Sequence, residues 1–202
     1  MKHFIIITNR PKDPDLEITR RVQELLKLRQ ASCSVYADEI PKEEWKRILL
    51  REGDRTDAIL VLGGDGTMLR AARDTADSQI PMLGINLGTL GYLTEVEKSG
   101  MEDAIDRLVA GSYQVEDRMM LCGQIYRQGR MEEENSALND ITITRCGHLR
   151  MLYFQIYVNG KLLKEYHADG IIIATPTGST GYNMSAGGPL VEPGAQMILL
   201  TP

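Results

Sequence analysis

The sequence has few cysteines, and their spacing excludes several classes of protein. Its 202 residues include 3 cysteines, Cys33, Cys122 and Cys146, and none of them forms a Cys-x-x-Cys pair. A structural zinc site or a disulfide framework needs clustered or paired cysteines, so we expect neither. An odd number of widely separated thiols is typical of a reducing compartment, and we therefore predict a cytoplasmic protein.

A long apolar run is missing from the start of the sequence. The apolar stretch at 4–7 is followed at once by Thr8. This stretch is too short for the apolar region of a signal peptide and far too short to cross a membrane. We therefore expect neither a signal peptide nor a membrane partner.

An excess of basic residues is also missing. The net charge is −5, and lysine and arginine are not clustered. A nucleic-acid-binding surface needs such clusters, so nucleic acid is not an expected partner. A small anionic ligand is still compatible with this charge, because backbone N–H groups bind anions without net positive charge.

The first half of the sequence alternates short apolar runs with amphipathic stretches. This rhythm predicts a parallel sheet with helices on its faces, a Rossmann-like α/β domain over residues 1–100. The predicted strands and helices are 3–8, 15–28, 33–37, 41–50, 57–62, 67–76 and 81–86, in that order.

After about residue 112 the pattern changes to successive strands. The stretch "VNGK" indicates a hairpin turn, and no helix is predicted among the strands. We therefore predict a mainly-β, sandwich-like domain over 101–202, joined to the first by a helix over 99–113. The final "QMILLTP" is typical of a strand entering a turn, so this domain is expected to lack its last strands.

A glycine loop with an acidic residue follows the third predicted strand. The loop "GGDGT" at 63–67 lacks the Lys-Ser/Thr of a P-loop, and Leu69 stands where a dinucleotide fingerprint needs its last glycine. Asp65 could cap the following helix. Alternatively, its carboxylate could accept a proton from an attacking hydroxyl while the glycine N–H groups bind the phosphate.

Two further motifs lie in the second half. The first is "DGIIIATPTGSTGYNMSAGGPLVEP" at 169–193, where small hydroxyl residues and glycines expose the backbone to a ligand or form a plain turn. The second is "ALND" at 137–140, an Asn-Asp pair that by itself is typical of a turn before a strand.

Together these motifs resemble the NAD kinase family, whose members convert NAD to NADP with ATP or polyphosphate. The resemblance covers essentially the whole chain, and its landmarks occur in family order as "GGDGTML", "GINLGTLGYLTE", "ALND" and "DGIIIATPTGSTGYNMSAGGPLV". The first motif is shared with lipid kinases and loosely with phosphofructokinases. The last is specific to NAD kinases.

The resemblance implies a role for each matching position. Asp65 matches the base that acts on the 2′-hydroxyl of the adenosine ribose. Asn139 and Asp140 match the Asn-Glu pair that holds the nicotinamide-side ribose, with a carboxylate one methylene shorter here. Gly66 lies beside the dinucleotide, and Gly63, Gly64 and Thr67 of the loop are also assigned to nucleotide binding. Arg70, one turn into the following helix, could meet the donor phosphate. Further dinucleotide contacts are assigned to Tyr92, Arg150, His167, Asp169, Thr180, Gly181, Tyr182, Asn183 and Ser185.

Several of these residues have a plainer interpretation. Arg70 and Arg150 could be surface charges, and His167 could be a strand-end histidine that faces water. Tyr92, which matches an aromatic residue that packs on adenine, could be a core residue.

The resemblance also implies the reaction. The γ-phosphoryl group of ATP would pass to NAD, with Mg²⁺ arriving on the nucleotide because no carboxylate cluster offers a metal cage. We expect the site in the crevice between the domains, a homodimer or homotetramer, and further strands after "LTP" whose NAD contacts involve a neighbouring subunit. The alternatives are a lipid kinase of the same superfamily and a non-catalytic NADP(H)-binding homologue.

Overall fold

The computed structural model describes residues 2–37, 39–89, 91–147 and 150–202, and of Lys42 only the backbone. The chain forms two compact units, Met1–Val115 and Glu116–Pro202. In the described residues, no helix combines the length and apolar character needed to cross a membrane.

The first unit is built on a five-stranded parallel sheet. Its strand order is β2-β1-β3-β4-β5, so β1 and β3 are neighbours although a strand and two helices separate them in sequence. The two strands are almost entirely buried, as expected of a parallel sheet that is covered on both faces. The strands are β1 (His3–Thr8), β2 (Ser32–Tyr36), β3 (Ala58–Gly63), β4 (Met82–Asn86) and β5 (Val96–Glu97).

Four helices cover this sheet. They are α1 (Glu17–Leu28), α2 (Lys42–Glu52), α3 (Asp65–Thr75) and α4 (Met101–Ala110). Single 3-10 turns occur at Arg10–Lys12, Gly53–Arg55, Ala76–Ser78 and Lys98–Gly100.

The side chains of each central strand divide between two hydrophobic clusters. Phe4 and Ile6 of β1 pack with α1 and α4, whereas Ile5 packs with α2 and α3. This division follows from the two-residue period of a strand, which sends successive side chains to opposite faces. The α/β prediction for the first half of the chain is therefore confirmed.

Helix α4 belongs to the first unit. Its buried residues Met101, Ile105 and Leu108 join the cluster that contains Phe4. The units consequently divide after Val115, whereas the sequence placed the boundary at residue 100 and this helix at the junction.

The second unit is mainly β, as predicted. Its strands pair as the three-stranded antiparallel sheet β12-β11-β8 and the hairpins β6-β7 and β9-β10. The strands are β6 (Leu121–Arg127), β7 (Arg130–Ala137), β8 (Asp140–Thr144), β9 (Leu152–Val158), β10 (Lys161–Ala168), β11 (Gly170–Ala174) and β12 (Leu199–Thr201).

Two details of the second unit bear on the sequence predictions. The predicted "VNGK" hairpin is present: Asn159 and Gly160 both adopt positive φ angles, 50° and 76°, between β9 and β10. The prediction that no helix interrupts the strands was wrong. A 3-10 turn at Thr177–Thr180 and a one-turn helix α5 at Tyr182–Ser185 follow β11.

The three cysteines are free thiols that differ in exposure. Cys33 in the first unit is half-buried, and burial raises the pKa of its thiol. Cys122 and Cys146 in the second unit are exposed.

Candidate active site

The glycine loop joins the carboxyl end of β3 to the amino end of α3. Gly63 is the last residue of β3, extended Gly64 precedes the helix, and Asp65 is the first helical residue. Open α/β sheets bind ligands at this edge, and the first amides of a helix favour negative charge. The backbone at this position therefore has the geometry of a phosphate site, and the predicted role of the loop stays a prediction.

The Asp65 carboxylate is held by a turn that follows β4. Its Oδ1 atom accepts hydrogen bonds from the Leu93 N–H (3.1 Å), the Thr94 N–H (3.2 Å) and the Thr94 hydroxyl (3.1 Å). Its Oδ2 atom accepts one, from the Tyr92 N–H at 2.8 Å. Each oxygen of a carboxylate has about two lone-pair sites, so Oδ2, with one donor among the described residues, has room for another. The helix-capping alternative is not observed, because these bonds lead away from α3.

Gly91 allows the turn to approach the carboxylate this closely. A Cβ atom on Gly91 would lie 2.0 Å from Asp65 Oδ1. The next residue, Tyr92, is 70% exposed, which excludes core packing as its role. Buried Asn86 holds the other end of the turn, donating to the Thr94 hydroxyl at 2.8 Å.

Thr67 and Arg70 lie on α3 but face different surroundings. The Thr67 hydroxyl accepts a hydrogen bond from Asn9 Nδ2 at 2.9 Å. It also packs against Gly63, where an added Cβ would lie 2.3 Å from Thr67 Oγ1. The exposed Arg70 guanidinium is paired with the Glu39 carboxylate. Gly66 is exposed beside them.

In the second unit, the structure brings the "ALND" and "TPTGSTG" motifs together. The Asn139 carbonyl accepts from the Thr175 N–H at 2.8 Å, and the Leu138 carbonyl accepts from the Thr175 hydroxyl at 2.5 Å. A Cβ on Gly181 would lie 3.4 Å from Asn139 Nδ2 and 3.9 Å from Asp140 Oδ2. Asn139 Oδ1 is buried and has no hydrogen-bond partner among the described residues.

The following loop is held from inside by Asn183. This side chain is completely buried, donates to the Pro189 carbonyl at 2.9 Å and accepts from the Thr201 hydroxyl at 2.7 Å. Tyr182 and Ser185 on either side of it are exposed, and Thr180 is half-buried. Asn183 therefore shapes the loop, while its neighbours present their side chains to solvent.

A cavity of about 720 Å³ opens in the second unit between β8, β11 and this loop. Its lining includes the predicted residues Asp169 and Tyr182. It also includes Arg145, which sequence analysis missed and whose Nε lies 3.0 Å from Asp169 Oδ1. Asp169 is exposed, so its carboxylate is available at the rim of the cavity.

The two basic residues that were predicted to contact the dinucleotide are not among the residues that line this cavity. Arg150 is exposed just before β9. His167 is exposed on β10, and its ring centroid lies 4.9 Å from that of Tyr153. Arg118, which the sequence analysis did not single out, donates to the Thr177 hydroxyl at 3.4 Å.

The sequence analysis also did not single out Asn9 and Lys12, whose side chains lie at the glycine loop. Both lie in "TNRPKD" directly after β1, a strand whose carboxyl end is next to that of β3 in the sheet. The sequence feature that could have indicated Lys12 is a basic residue just after a strand that is a neighbour of β3.

The described residues do not bring three or more His, Cys, Asp or Glu side chains together as a metal site.

An acidic glycine loop on a parallel sheet and a separate β unit with a hydroxyl-rich loop fit a phosphotransferase. Two family models make the assignment specific. The ATP-NAD kinase N-terminal domain matches residues 4–113, and the ATP-NAD kinase C-terminal domain matches residues 138–202. The chain belongs to the NAD kinase family, a family of ATP-dependent phosphotransferases.

Individual relatives agree with this assignment. An NAD kinase of Agathobacter rectalis is 48% identical over 203 residues, which cover 100% of this chain and 71% of that protein. An NAD kinase of Lachnospira eligens is 42% identical, with coverage of 100% and 70%.

Solved structures show the same fold. A yeast NADH kinase in complex with NADH has a TM-score of 0.80 and 25% identity, covering 100% of this chain and 65% of that one. An NAD kinase from Archaeoglobus fulgidus in complex with ATP has a TM-score of 0.73 and 26% identity, with coverage of 99% and 71%. The resemblance and the NAD kinase function predicted from the sequence are confirmed, and the lipid-kinase and non-catalytic alternatives gain no support.

Proposed function

We propose that the chain transfers the γ-phosphoryl group of ATP to the 2′-hydroxyl of the adenosine ribose of NAD, giving NADP. The observation that carries this reaction is the Asp65 carboxylate, which is fixed at the glycine loop and whose Oδ2 accepts one hydrogen bond from the described residues. An ionised carboxylate in that position suits a hydroxyl donor and repels phosphate, so the acceptor alcohol lies against Asp65 and the phosphate against the glycines.

Asp65 acts on the hydroxyl in this proposal. The ribose 2′-hydroxyl donates a hydrogen bond to Oδ2, which orients its oxygen and receives the proton as the phosphoryl group arrives. Because three donors hold Oδ1, the carboxylate needs no rearrangement before the reaction.

The loop at the start of α3 binds the donor phosphates. The backbone amides of Gly64 and Gly66 would face the phosphate oxygens at the positive end of the helix, with Gly63 and Thr67 packed beneath them. Mg²⁺, when bound to the nucleotide, would offset the negative charge of the donor phosphates. Arg70 would reach a phosphate only by releasing Glu39.

The second unit is proposed to hold the rest of the dinucleotide. The buried Asn139 Oδ1, which has no partner among the described residues, and the adjacent Asp140 carboxylate would accept from ribose hydroxyls beside Gly181. Asp169 at the cavity rim would face the nicotinamide end. Thr180, Tyr182 and Ser185 would enclose the ligand on the loop that Asn183 shapes.

Three exposed side chains complete the proposal. Tyr92, in the turn that holds Asp65, would offer an aromatic face to adenine. Arg150 and His167 would contact the dinucleotide as basic groups, on the strength of the family resemblance.

The test of Asp65 is the Asp65→Asn substitution. NADP formation from NAD and MgATP would be followed with an NADP-specific dehydrogenase, and NAD binding would be measured separately by calorimetry. Loss of a general base is expected to lower kcat by about 100-fold or more. The affinity for NAD should fall far less than kcat, because the amide oxygen in the Oδ1 position keeps the Leu93 and Thr94 donors and only the bond from Tyr92 is lost.

Asp77→Asn is the matched control, since Asp77 is an exposed aspartate just beyond the other end of α3. It should keep the parent kcat. If Asp65→Asn also kept that value, the base assignment would be wrong although the protein is an NAD kinase.

We also propose a cytoplasmic homo-oligomer, a dimer or tetramer, on the family resemblance. Size-exclusion chromatography with light scattering measures the assembly directly, and a monomer at micromolar concentration would contradict this expectation.

A further inference from the structure

We propose that Lys12 is a donor-phosphate-binding residue whose ammonium group acts from the turn after β1. This inference rests on the proposed function, because it assigns a cation to the donor side of the same site.

The turn that carries Lys12 is attached to the glycine loop. Because β1 and β3 are adjacent, the Asn9 N–H donates to the Leu62 carbonyl at 2.8 Å, one residue before Gly63. Asn9 Nδ2 donates to the Thr67 hydroxyl at 2.9 Å, within the first turn of α3. The main chain and the side chain of Asn9 thus attach the turn to both ends of the glycine loop.

The other side of the turn is attached to α1. The buried Asp13 carboxylate accepts from the Thr19 N–H at 2.9 Å and the Thr19 hydroxyl at 2.7 Å. The Lys12 N–H donates to the Asn9 carbonyl at 2.9 Å. The Lys12 backbone is therefore fixed on both sides, and only its side chain has freedom to follow a ligand.

The Lys12 ammonium group lies over two glycines of the site. A Cβ on Gly64 would lie 2.7 Å from Lys12 Nζ, and a Cβ on Gly88 would lie 3.3 Å from it. Gly64 precedes α3, and Gly88 lines a cavity of about 420 Å³ together with Asn86, Leu87, Glu97, Lys98 and Ser99. Because neither glycine has a side chain, the ammonium group reaches the surface where the helix amides begin.

The charges around Lys12 leave it available. In the described parts of the chain it forms no salt bridge, whereas Arg70 is paired with Glu39. The Asp65 carboxylate is engaged by the turn at 92–94. Glu97 and Lys98, which line the neighbouring cavity, carry opposite charges. A polyphosphate chain at the loop would therefore meet the Lys12 ammonium group together with the helix amides.

This arrangement recognises phosphate and not the adenine base. Lys12 should consequently contribute to the binding of any polyphosphate, with or without a nucleoside. A charge-assisted hydrogen bond that is lost from such a site weakens binding by about tenfold to a hundredfold.

The test compares Lys12→Gln with Lys27→Gln, a control at an exposed lysine at the far end of α1. Binding of MgATP, of inorganic tripolyphosphate and of NAD would be measured by calorimetry for the parent and both variants. Circular dichroism melts would show that the variants are folded. We expect Lys12→Gln to lower the affinities for MgATP and tripolyphosphate by the same factor, about tenfold or more. The affinity for NAD should not change. Lys12→Arg should restore most of the loss.

Three results would overturn the assignment. One is an MgATP affinity for Lys12→Gln within about twofold of the parent. Another is an equal loss of affinity for MgATP and NAD, which would indicate a general disturbance of the fold. The last is a loss of affinity for MgATP but not for tripolyphosphate, because Lys12 would then not act on phosphate. NADP formation by the parent, measured in parallel, reports on the proposed function independently of these affinities.

Discussion

At the scale of single residues, the chemistry of Asp65 depends on partners that lie far from it in sequence. The acidic glycine loop could be predicted from "GGDGT" alone. Its partners Tyr92, Leu93 and Thr94 could not, because they meet the carboxylate only after β4 takes its place beside β3. The same holds for Lys12, which reaches the loop only because β1 is the other neighbour of β3.

Gly91→Ala tests whether the position of the Asp65 carboxylate matters for turnover. The added methyl group would lie 2.0 Å from Oδ1, so the carboxylate must move away from its present donors. A displacement of about 1 Å can lower the rate by about 100-fold, and we expect a loss of kcat of that order. Steady-state NADP formation measures it.

Gly100→Ala is the control for this substitution. A Cβ there meets nothing within 4 Å, so activity should remain at the parent value. If Gly91→Ala were equally active, the contact between the turn and the carboxylate would have no part in catalysis.

At the scale of elements, most strands and helices of the first unit could be predicted to within a few residues. Their apolar runs and amphipathic periods dictate both the element and the buried face. The 3-10 turn at Thr177–Thr180 and helix α5 could not be predicted, because a stretch rich in glycine, serine and threonine has no helical apolar period. Their shape depends on the hydrogen bonds that Asn183 donates to the Pro189 carbonyl and accepts from the Thr201 hydroxyl.

Glu52 joins three elements of the first unit through one buried carboxylate. It ends α2, accepts from Tyr36 of β2 at 3.0 Å and lies 3.6 Å from His3 of β1. Burial by itself would raise the pKa of Glu52, but hydrogen bonds from Ser34, Arg51 and Tyr36 outweigh it and lower that pKa to about 2 from the ordinary 4.5. The ionised carboxylate therefore stabilises the folded unit above pH 4.5, and this contribution is lost as the pH falls from 4.5 towards 2.

Glu52→Gln should remove this pH dependence. At pH 7 we expect a free energy of unfolding lower than that of the parent by up to about 3 kcal/mol, a difference that shrinks below pH 4.5. Urea unfolding at a series of pH values measures it. Glu24→Gln, at an exposed position on α1, should follow the parent curve, and a constant deficit for Glu52→Gln at all pH values would contradict the argument.

At the scale of the whole molecule, the two units differ in how well their strands are covered. β1 and β3 are buried on both faces, whereas the hairpin β6-β7 is largely exposed. The two-part organisation could be predicted from the change of pattern along the chain. The division after Val115 could not, because it depends on the packing of α4 against the cluster around Phe4.

Hydrogen exchange should reveal this difference in coverage. Amides of β1 and β3 are expected to exchange about a thousandfold more slowly than those of β6 and β7, because a two-stranded hairpin opens at little cost. Mass spectrometry of peptides from the exchanged protein measures both rates. Equal protection would contradict this prediction and indicate that another surface covers the hairpin.

The distribution of thiols has a practical consequence for experiments on this protein. Both exposed cysteines, Cys122 and Cys146, lie in the second unit, whereas the half-buried Cys33 of the first has a raised pKa. Maleimide dyes react with accessible thiolates, so the protein should be labelled in the second unit and the glycine loop of the first should stay unmodified. The protein thus carries its own attachment points for fluorescence, and ligand binding to the second unit can be followed without engineering a cysteine.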